Sequence, residues 1–361
     1  MGDKFLIVCS LDRQTGKTIF SLGLARILIK RGFNVGYFKP LGQRTYVTRE
    51  GAIVDEDAYT MKSLLNLKED IEELSPYIYH YDFLNKVLVK DEVEGLREGI
   101  IERANKIAED KDLVIIEAHG CLWTGMSVGL SSLDLANMLN APVLILVNYD
   151  PVYICDRLLL LSEILENRKI DCLGTIIFGV KPGGDVCLNV YVLPRLSQFR
   201  FKVIGMLPTL REIIPLTARE VCEAIDARVI IGEEWLNRPI ENFLVGAMTT
   251  ESASRYFRVT SDKAIVTGGD REDIILAALE TPTLVLILTG NLYPSEKVIN
   301  TAKEKRVPIL LSPYDTYTTV KKIEEYRYTI RYLDENRINL LTDTIERKMN
   351  IDEIIRELNL S

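Results

Sequence analysis

The chain alternates short apolar runs with segments of helical length. Phe5-Leu6-Ile7-Val8-Cys9 is β-prone and apolar, and the polar stretch Ser10 to Thr18 separates it from a strongly apolar segment, Ile19 to Arg31, that stops at Gly32. A helix apolar on most faces is buried against a sheet, and glycine suits the position just past a helix end. Asn34 to Lys39 reads as a second strand, so the first forty residues make a strand–helix–strand unit whose parallel strands need such a crossover. Asp55 to Leu65 reads as a helix with an acidic start, and another helix closes over Ala104 to Glu109. Asp112 to Glu117 is then a fully buried strand ending in a carboxylate. Pro142 to Val147, Leu173 to Val180 and Lys202 to Thr209 are further strands, with a helix over Leu158 to Asn167. Continuous apolar strands alternating with helices predict an α/β fold built on a doubly wound parallel sheet.

Ile213 to Thr217 reads as a linker, and from Glu220 the pattern restarts. Strands are expected over Asn242–Met248, Ala264–Thr267, Thr283–Leu288 and Val307–Leu311, each running into a turn that carries Gly, Thr or Asp. Those turns could present a second anion or nucleotide site, or be the ordinary strand–helix turns of any α/β domain. The expected domains are 1–215 and a second, smaller α/β domain over 216–361. The latter ends in an amphipathic helix, Asn336 to Leu360, with Ile338, Leu341, Ile345, Met349, Ile354, Ile355 and Leu358 apolar. Such a helix packs on its own domain or on a twin subunit.

Composition narrows the function classes. The 361 residues carry a formal net charge of -8 at pH 7, which argues against a nucleic-acid partner. No apolar run approaches the ~18 residues of a membrane span and no signal-peptide pattern opens the chain, so no membrane partner and a cytoplasmic location are expected. The six cysteines, at 9, 121, 155, 172, 187 and 222, show no metal-binding spacing and read as free thiols in a reducing compartment. The only histidines are His80 and His119, which leaves little room for zinc or Ser-His chemistry.

The candidate chemistry lies at the carboxyl ends of the first strands, where ligands bind on such sheets. Strand, polar loop, Gly16-Lys17-Thr18 and helix is the context of a phosphate-binding P-loop. Backbone N–H groups of Asp12, Arg13, Gln14, Thr15, Gly16, Lys17 and Thr18, with the helix N-terminus, would cradle phosphate oxygens. Lys17 would neutralise the outer phosphates, and the Thr18 hydroxyl would ligate magnesium. The strict motif asks for glycine at position 11, and this chain has Leu11. Glu117, at a strand end, is the expected second magnesium ligand. Asp57 either joins it or serves the helix dipole. Lys39 is either a surface lysine before a turn proline or a further cation on the rim. His119 could line the same rim or cap the loop.

With both halves laid out, the chain resembles the dethiobiotin-synthetase-like N-terminal region of phosphotransacetylases followed by a DRTGG domain. The synthetase loop runs G-T-D-T-x-V-G-K-T; Asp12 and Gly16-Lys17-Thr18 match it, with Ser10 at the leading glycine. The family's G-Y-K-P-V is met by Gly36-Tyr37-Phe38-Lys39-Pro40-Leu41 with one extra residue, its D-A-L by Asp57-Ala58, and its V-E-G-A-G-G by Ile116 to Cys121. The resemblance implies a P-loop NTPase-like fold, ATP (or another nucleoside triphosphate) and magnesium as cofactors, Thr18, Asp57 and Glu117 as metal ligands, and catalytic roles for Lys17 and Lys39. Two departures stand out: Ala118 replaces the glycine after the metal glutamate, and Phe178 stands where the family has the asparagine that reads adenine. Asp270-Arg271 and Thr289-Gly290-Asn291 look like the two halves of the DRTGG motif. The acyl-transferring domain of phosphotransacetylase is not seen in this sequence.

These features set out two functions. One is a nucleotide-binding regulatory or scaffold protein, a homo-oligomer (dimer) acting on a separate metabolic enzyme. The other is an ATP-dependent ligase similar to dethiobiotin synthetase, phosphorylating a carboxylate or carbamate with no covalent protein nucleophile. Amide ligation of the cobyrinate amidase type would need a Cys-His glutaminase, for which the second half has no histidine.

Overall fold

The apolar runs of the first half become the inner strands of one parallel sheet. In a computed structural model of the chain, which describes residues 4–90, 93–181, 183–196, 202–331 and 333–360, the first strand, β1 (Phe5–Ser10), is buried along its whole length. It leads through the polar loop into α1 (Lys17–Lys30) and then β2 (Val35–Phe38). The helices α2 (Glu56–Leu64) and α3 (Val93–Ala108) precede β3 (Leu113–Glu117). There follow α4 (Ser132–Leu139), β4 (Val143–Asn148), α5 (Ile154–Arg168), β5 (Cys172–Phe178) and β6 (Val203–Leu207).

The six strands lie in the order β6-β5-β4-β1-β3-β2, every neighbouring pair parallel. The chain steps from β1 out to β2, returns to β3, and then crosses to the other side of β1. Right-handed crossovers taken in opposite directions put helices on both faces. One face, with Ile7, Cys9, Ile116 and Ile145, packs on α3, α4 and α5. The register sets Val8 beside Glu117 and Ser10 beside Leu146, so the ends of β3 and β4 flank the loop that leaves β1.

The second sheet belongs to a separate compact unit, Leu210–Tyr328. Its elements are α6 (Ala218–Ala224), β7 (Arg228–Ile231), β8 (Asn242–Val245), α7 (Thr250–Val259), β9 (Lys263–Gly268), α8 (Glu272–Leu279), β10 (Thr283–Thr289), α9 (Glu296–Lys305), β11 (Ile309–Leu311) and α10 (Thr316–Tyr326). The order is β7-β11-β10-β9-β8, with only β7 antiparallel to its neighbour. Apolar clusters cover both faces of this sheet.

The tail departs from the sequence expectation in two ways. It is two helices, α11 (Glu335–Lys348) and α12 (Ile351–Glu357), because the side chain of Asn350 accepts a hydrogen bond from the Glu353 N–H and starts a new helix. It also belongs to the first unit, Met1–Thr209 with Thr329–Ser361, and not to the domain expected over 216–361. The reason is local. Gly23 of α1 has no side chain, and a Cβ there would lie 2.4 Å from Ile345 Cδ1 and 3.2 Å from Leu341 Cγ. The expected apolar stripe, Ile338, Leu341 and Ile345, is buried in that groove. Arg26 bonds Glu335 at 2.5 Å, and Arg31 reaches Glu346 at 3.3 Å. No helix among the described residues is long and apolar enough to cross a membrane.

Candidate functional site

The loop after β1 is shaped by two left-handed residues, Gln14 at φ 53° and Gly16 at φ 77°. Between them and α1, backbone donors are left over. No N–H from Asp12 to Ile19 finds an acceptor among the described residues; the first intrahelical bond is Phe20 N–H to Gly16 O at 2.8 Å. Successive unpaired N–H groups at a helix N-terminus form an anion-binding concavity.

Leu11 is not a defect in this loop. Its N–H continues the ladder to Leu146 O at 3.0 Å and its side chain joins the core under β4, so the backbone there has no need of glycine. Ser10, at the leading glycine position, is fully buried, and its hydroxyl accepts from Lys17 Nζ at 3.0 Å. Lys17 also donates to Gly120 O. Burial holds the Lys17 ammonium below the ordinary lysine value, against the pull of Glu117. Asp12 accepts from the Asn148 N–H at 3.2 Å and pairs with Arg157, so its carboxylate braces the loop against β4 and α5. Arg13 and Gln14 are exposed, and the buried Thr15 hydroxyl has no partner among the described residues.

Beside the loop, polar residues from chain-distant elements meet. Thr18 Oγ1 donates to Glu117 Oε1 at 2.7 Å and lies 3.4 Å from Asp57 Oδ2. Lys39 Nζ stands 2.6 Å from Asp57 Oδ2, 3.1 Å from Asp55 Oδ1 and 3.6 Å from Glu117 Oε1. Of the two readings left open for Lys39, the structure takes the rim: the residue is 3% exposed. Burial disfavours its charge, but Asp55, Asp57 and Glu117 together hold the ammonium above the ordinary lysine value. Burial likewise penalises Asp57, and the charge and hydrogen bond of Lys39 outweigh it, so that carboxyl sits low. For Glu117 burial wins over Lys39, helped by repulsion from Asp57, and its carboxyl is pushed up.

Two members of this cluster escaped the sequence reading. Tyr37 sits inside an apolar strand, yet its hydroxyl donates to Glu117 Oε2 at 3.0 Å. Asp55 accepts from the Ala58 N–H at 2.9 Å as the cap of α2, and its other oxygen accepts from the Gln43 N–H at 2.8 Å. Only the helix-start position of Asp55 could have flagged it. His119 is buried against Tyr79, ring centroids 4.8 Å apart, and burial with the nearby Lys39, Lys17 and Arg13 pulls it down to about 4, so the ring is neutral at pH 7. Ala118 is buried, its N–H donating to Val8 O at 3.0 Å, and Phe178 is buried at the end of β5.

In the second unit the register pairs Gly268 with Thr289, which places Asp270-Arg271 and Thr289-Gly290-Asn291 at neighbouring strand ends. These turns bond among themselves. Arg271 holds Asp273 and Met248 O, each at 3.2 Å, and the Gly290 N–H donates to Tyr314 O at 2.7 Å.

Comparison with known proteins finds relatives for both halves of the chain. Residues 4–217 match a family model described as an AAA domain, AAA_26, and residues 220–326 match the DRTGG domain. A phosphate acetyltransferase of Pseudomonas putida is 24% identical over 354 residues, covering 94% of this chain and 49% of that protein. The ATP-dependent dethiobiotin synthetase BioD of Methanocaldococcus jannaschii is 30% identical over 183 residues, covering 48% of this chain and 78% of the synthetase. The chain thus spans about half the length of the curated acetyltransferases it matches. Among solved structures, the MinD cell division protein of Aquifex aeolicus overlies 57% of this chain and 82% of its own at 16% identity and a TM-score of 0.32, a distant likeness. With its P-loop between β1 and α1 and its matched residues covering more than half the sequence, the chain belongs to the AAA domain family AAA_26, joined to a DRTGG domain.

Proposed function

We propose that the first unit holds a magnesium–nucleoside triphosphate, ATP in the first instance, and that the protein is a regulator or scaffold. The observation that carries this reading is the unbroken row of free N–H groups from Asp12 to Ile19 around Lys17. The residues also suit a magnesium ion. Thr18, Asp57 and Glu117 converge, and Asp57 Oδ1 is buried with no hydrogen-bond partner among the described residues. Among the described residues no set of three or more His, Cys, Asp or Glu is arranged to hold a metal alone, which fits an ion that keeps waters and phosphate oxygens as ligands. Thr18, Asp57 and Glu117 would hold it, and bound there it would supply positive charge to the outer phosphates. Phe178, apolar and buried, offers no hydrogen bond to a base, so the triphosphate should count for more than the base.

The regulatory reading draws support from Ser10, Ala118 and Phe178, which stand where the resembled synthetases have the leading loop glycine, the glycine after the metal glutamate and the adenine-reading asparagine. The long matches to one half of phosphate acetyltransferases suggest a metabolic enzyme as partner, with the protein acting as a homodimer in the cytoplasm, where its six free thiols would stay reduced. The ligase reading has one specific support, the 30% identity to a protein named as an ATP-dependent synthetase. A nucleotide panel by thermal shift, with and without magnesium, followed by phosphate release, separates the two. Magnesium-dependent stabilisation without turnover is expected. A burst of phosphate on adding a diamine and bicarbonate would establish the ligase instead.

A further inference from the structure

Lys39 is an unusual resident for a magnesium site. Its ammonium lies among the same oxygens that would serve the metal, 2.6 Å from Asp57 Oδ2 and 3.6 Å from Glu117 Oε1. The three carboxylates around it are all but fully buried: Asp55 is 0%, Asp57 7% and Glu117 2% exposed. Buried charges without compensation are strongly disfavoured, so the cluster requires a cation at all times. Asp57 Oδ1, buried and unpartnered, marks one coordination position that Lys39 leaves unfilled.

We propose that Lys39 is a built-in counter-cation that bars divalent ions from this cluster until a triphosphate is bound. The barrier is both occupancy and charge. An ammonium and a divalent ion cannot share Asp57 and Glu117 at such distances without strong repulsion. For those carboxylates to turn to a metal, Lys39 must first release them, and Thr18 must give up its bond to Glu117. A triphosphate seated on the loop N–H groups provides the anion toward which Lys39 can swing. Asp55 is the pivot of that motion. Its two oxygens are fixed by the N–H groups of Ala58 and Gln43, and a Cβ on Gly42 would come within 2.6 Å of its Cβ. It therefore holds its place and its 3.1 Å contact with Lys39. The device makes metal and nucleotide binding reciprocal, each raising affinity for the other.

This inference rests on the nucleotide reading above, and the arm that isolates Lys39 uses no nucleotide. Manganese binding to the full chain is followed by electron paramagnetic resonance, with magnesium competition, in the absence and presence of a non-hydrolysable ATP analogue. The parent should bind manganese only with the analogue. Lys39→Met should bind manganese without any nucleotide, with a gain of about tenfold or more over the parent, the scale of ordinary coupling energies. Lys39→Arg, which keeps the charge, should behave as the parent does. If Lys39→Met does not fold, Lys39→Gln is read in the same way. The proposal is overturned if the nucleotide-free parent binds manganese as tightly as the loaded one, or if folded Lys39→Met or Lys39→Gln gains nothing. Failure of the parent to bind any nucleotide would strike the functional reading, whereas a missing gain in the variants strikes only the role of Lys39.

Discussion

Leu11 shows how far a single letter can mislead. A P-loop pattern asks for glycine at this position, and the sequence alone marks the residue as a departure. The structure makes it part of the core, 8% exposed, with its N–H in the sheet ladder. Leu11→Ala should therefore cost about 2–4 kcal/mol of stability, as other buried leucine truncations do, read by urea denaturation. Cys9 lies two residues earlier, inside β1. Burial pushes its thiol up to about 12, and since the thiolate is the reactive form, at pH 8 the native protein should leave it unlabelled by iodoacetamide. The partly exposed Cys187 should label, and peptide mass spectrometry distinguishes the two. The residues that sequence reading found, Lys17, Thr18, Asp57 and Glu117, announce themselves by charge at strand ends and helix starts. Tyr37 does not, since it hides its hydroxyl within an apolar strand and its partner Glu117 is distant in sequence; Asp55 stands at a helix start but reads there as an ordinary cap.

At the scale of elements, strands and inner helices were legible because their apolar runs are long and uninterrupted. The tail was legible as an amphipathic helix and illegible as to its neighbour, since an apolar stripe specifies that something must cover it but not what. Its receptor is the gap at Gly23, and a lone glycine in a helix is an ambiguous sign. Gly23→Leu should fill that gap, drive Ile345 and Leu341 out of place and destabilise the first unit by about 1–3 kcal/mol, as overpacking does. Thermal or chemical denaturation measures it, and an unchanged midpoint would mean that α11 does not rest on α1. The break at Met349 and Asn350 was readable in principle. Asn350 with Glu353 three residues on is a helix-start pattern, overridden in the sequence reading by the longer apolar periodicity.

For the whole molecule, alternation of strands and helices was sufficient to imply two α/β sheets, because each fully buried strand demands cover on both faces. The strand order was not legible: nothing in the apolar pattern says that β1 lies between β3 and β4. Yet that order creates the site, since it carries Glu117 to the side of the loop and lets Asn148 and Arg157 brace Asp12. The central claim is that the row of loop N–H groups and Lys17 grips a triphosphate. Isothermal titration of magnesium–ATP into the parent and into Lys17→Ala tests it most directly. The account predicts binding at a single site in the parent and a loss of roughly tenfold to a hundredfold in Lys17→Ala, the worth of a charge-assisted hydrogen bond. A parent that does not bind magnesium–ATP, or a variant that binds it as tightly as the parent, would contradict it.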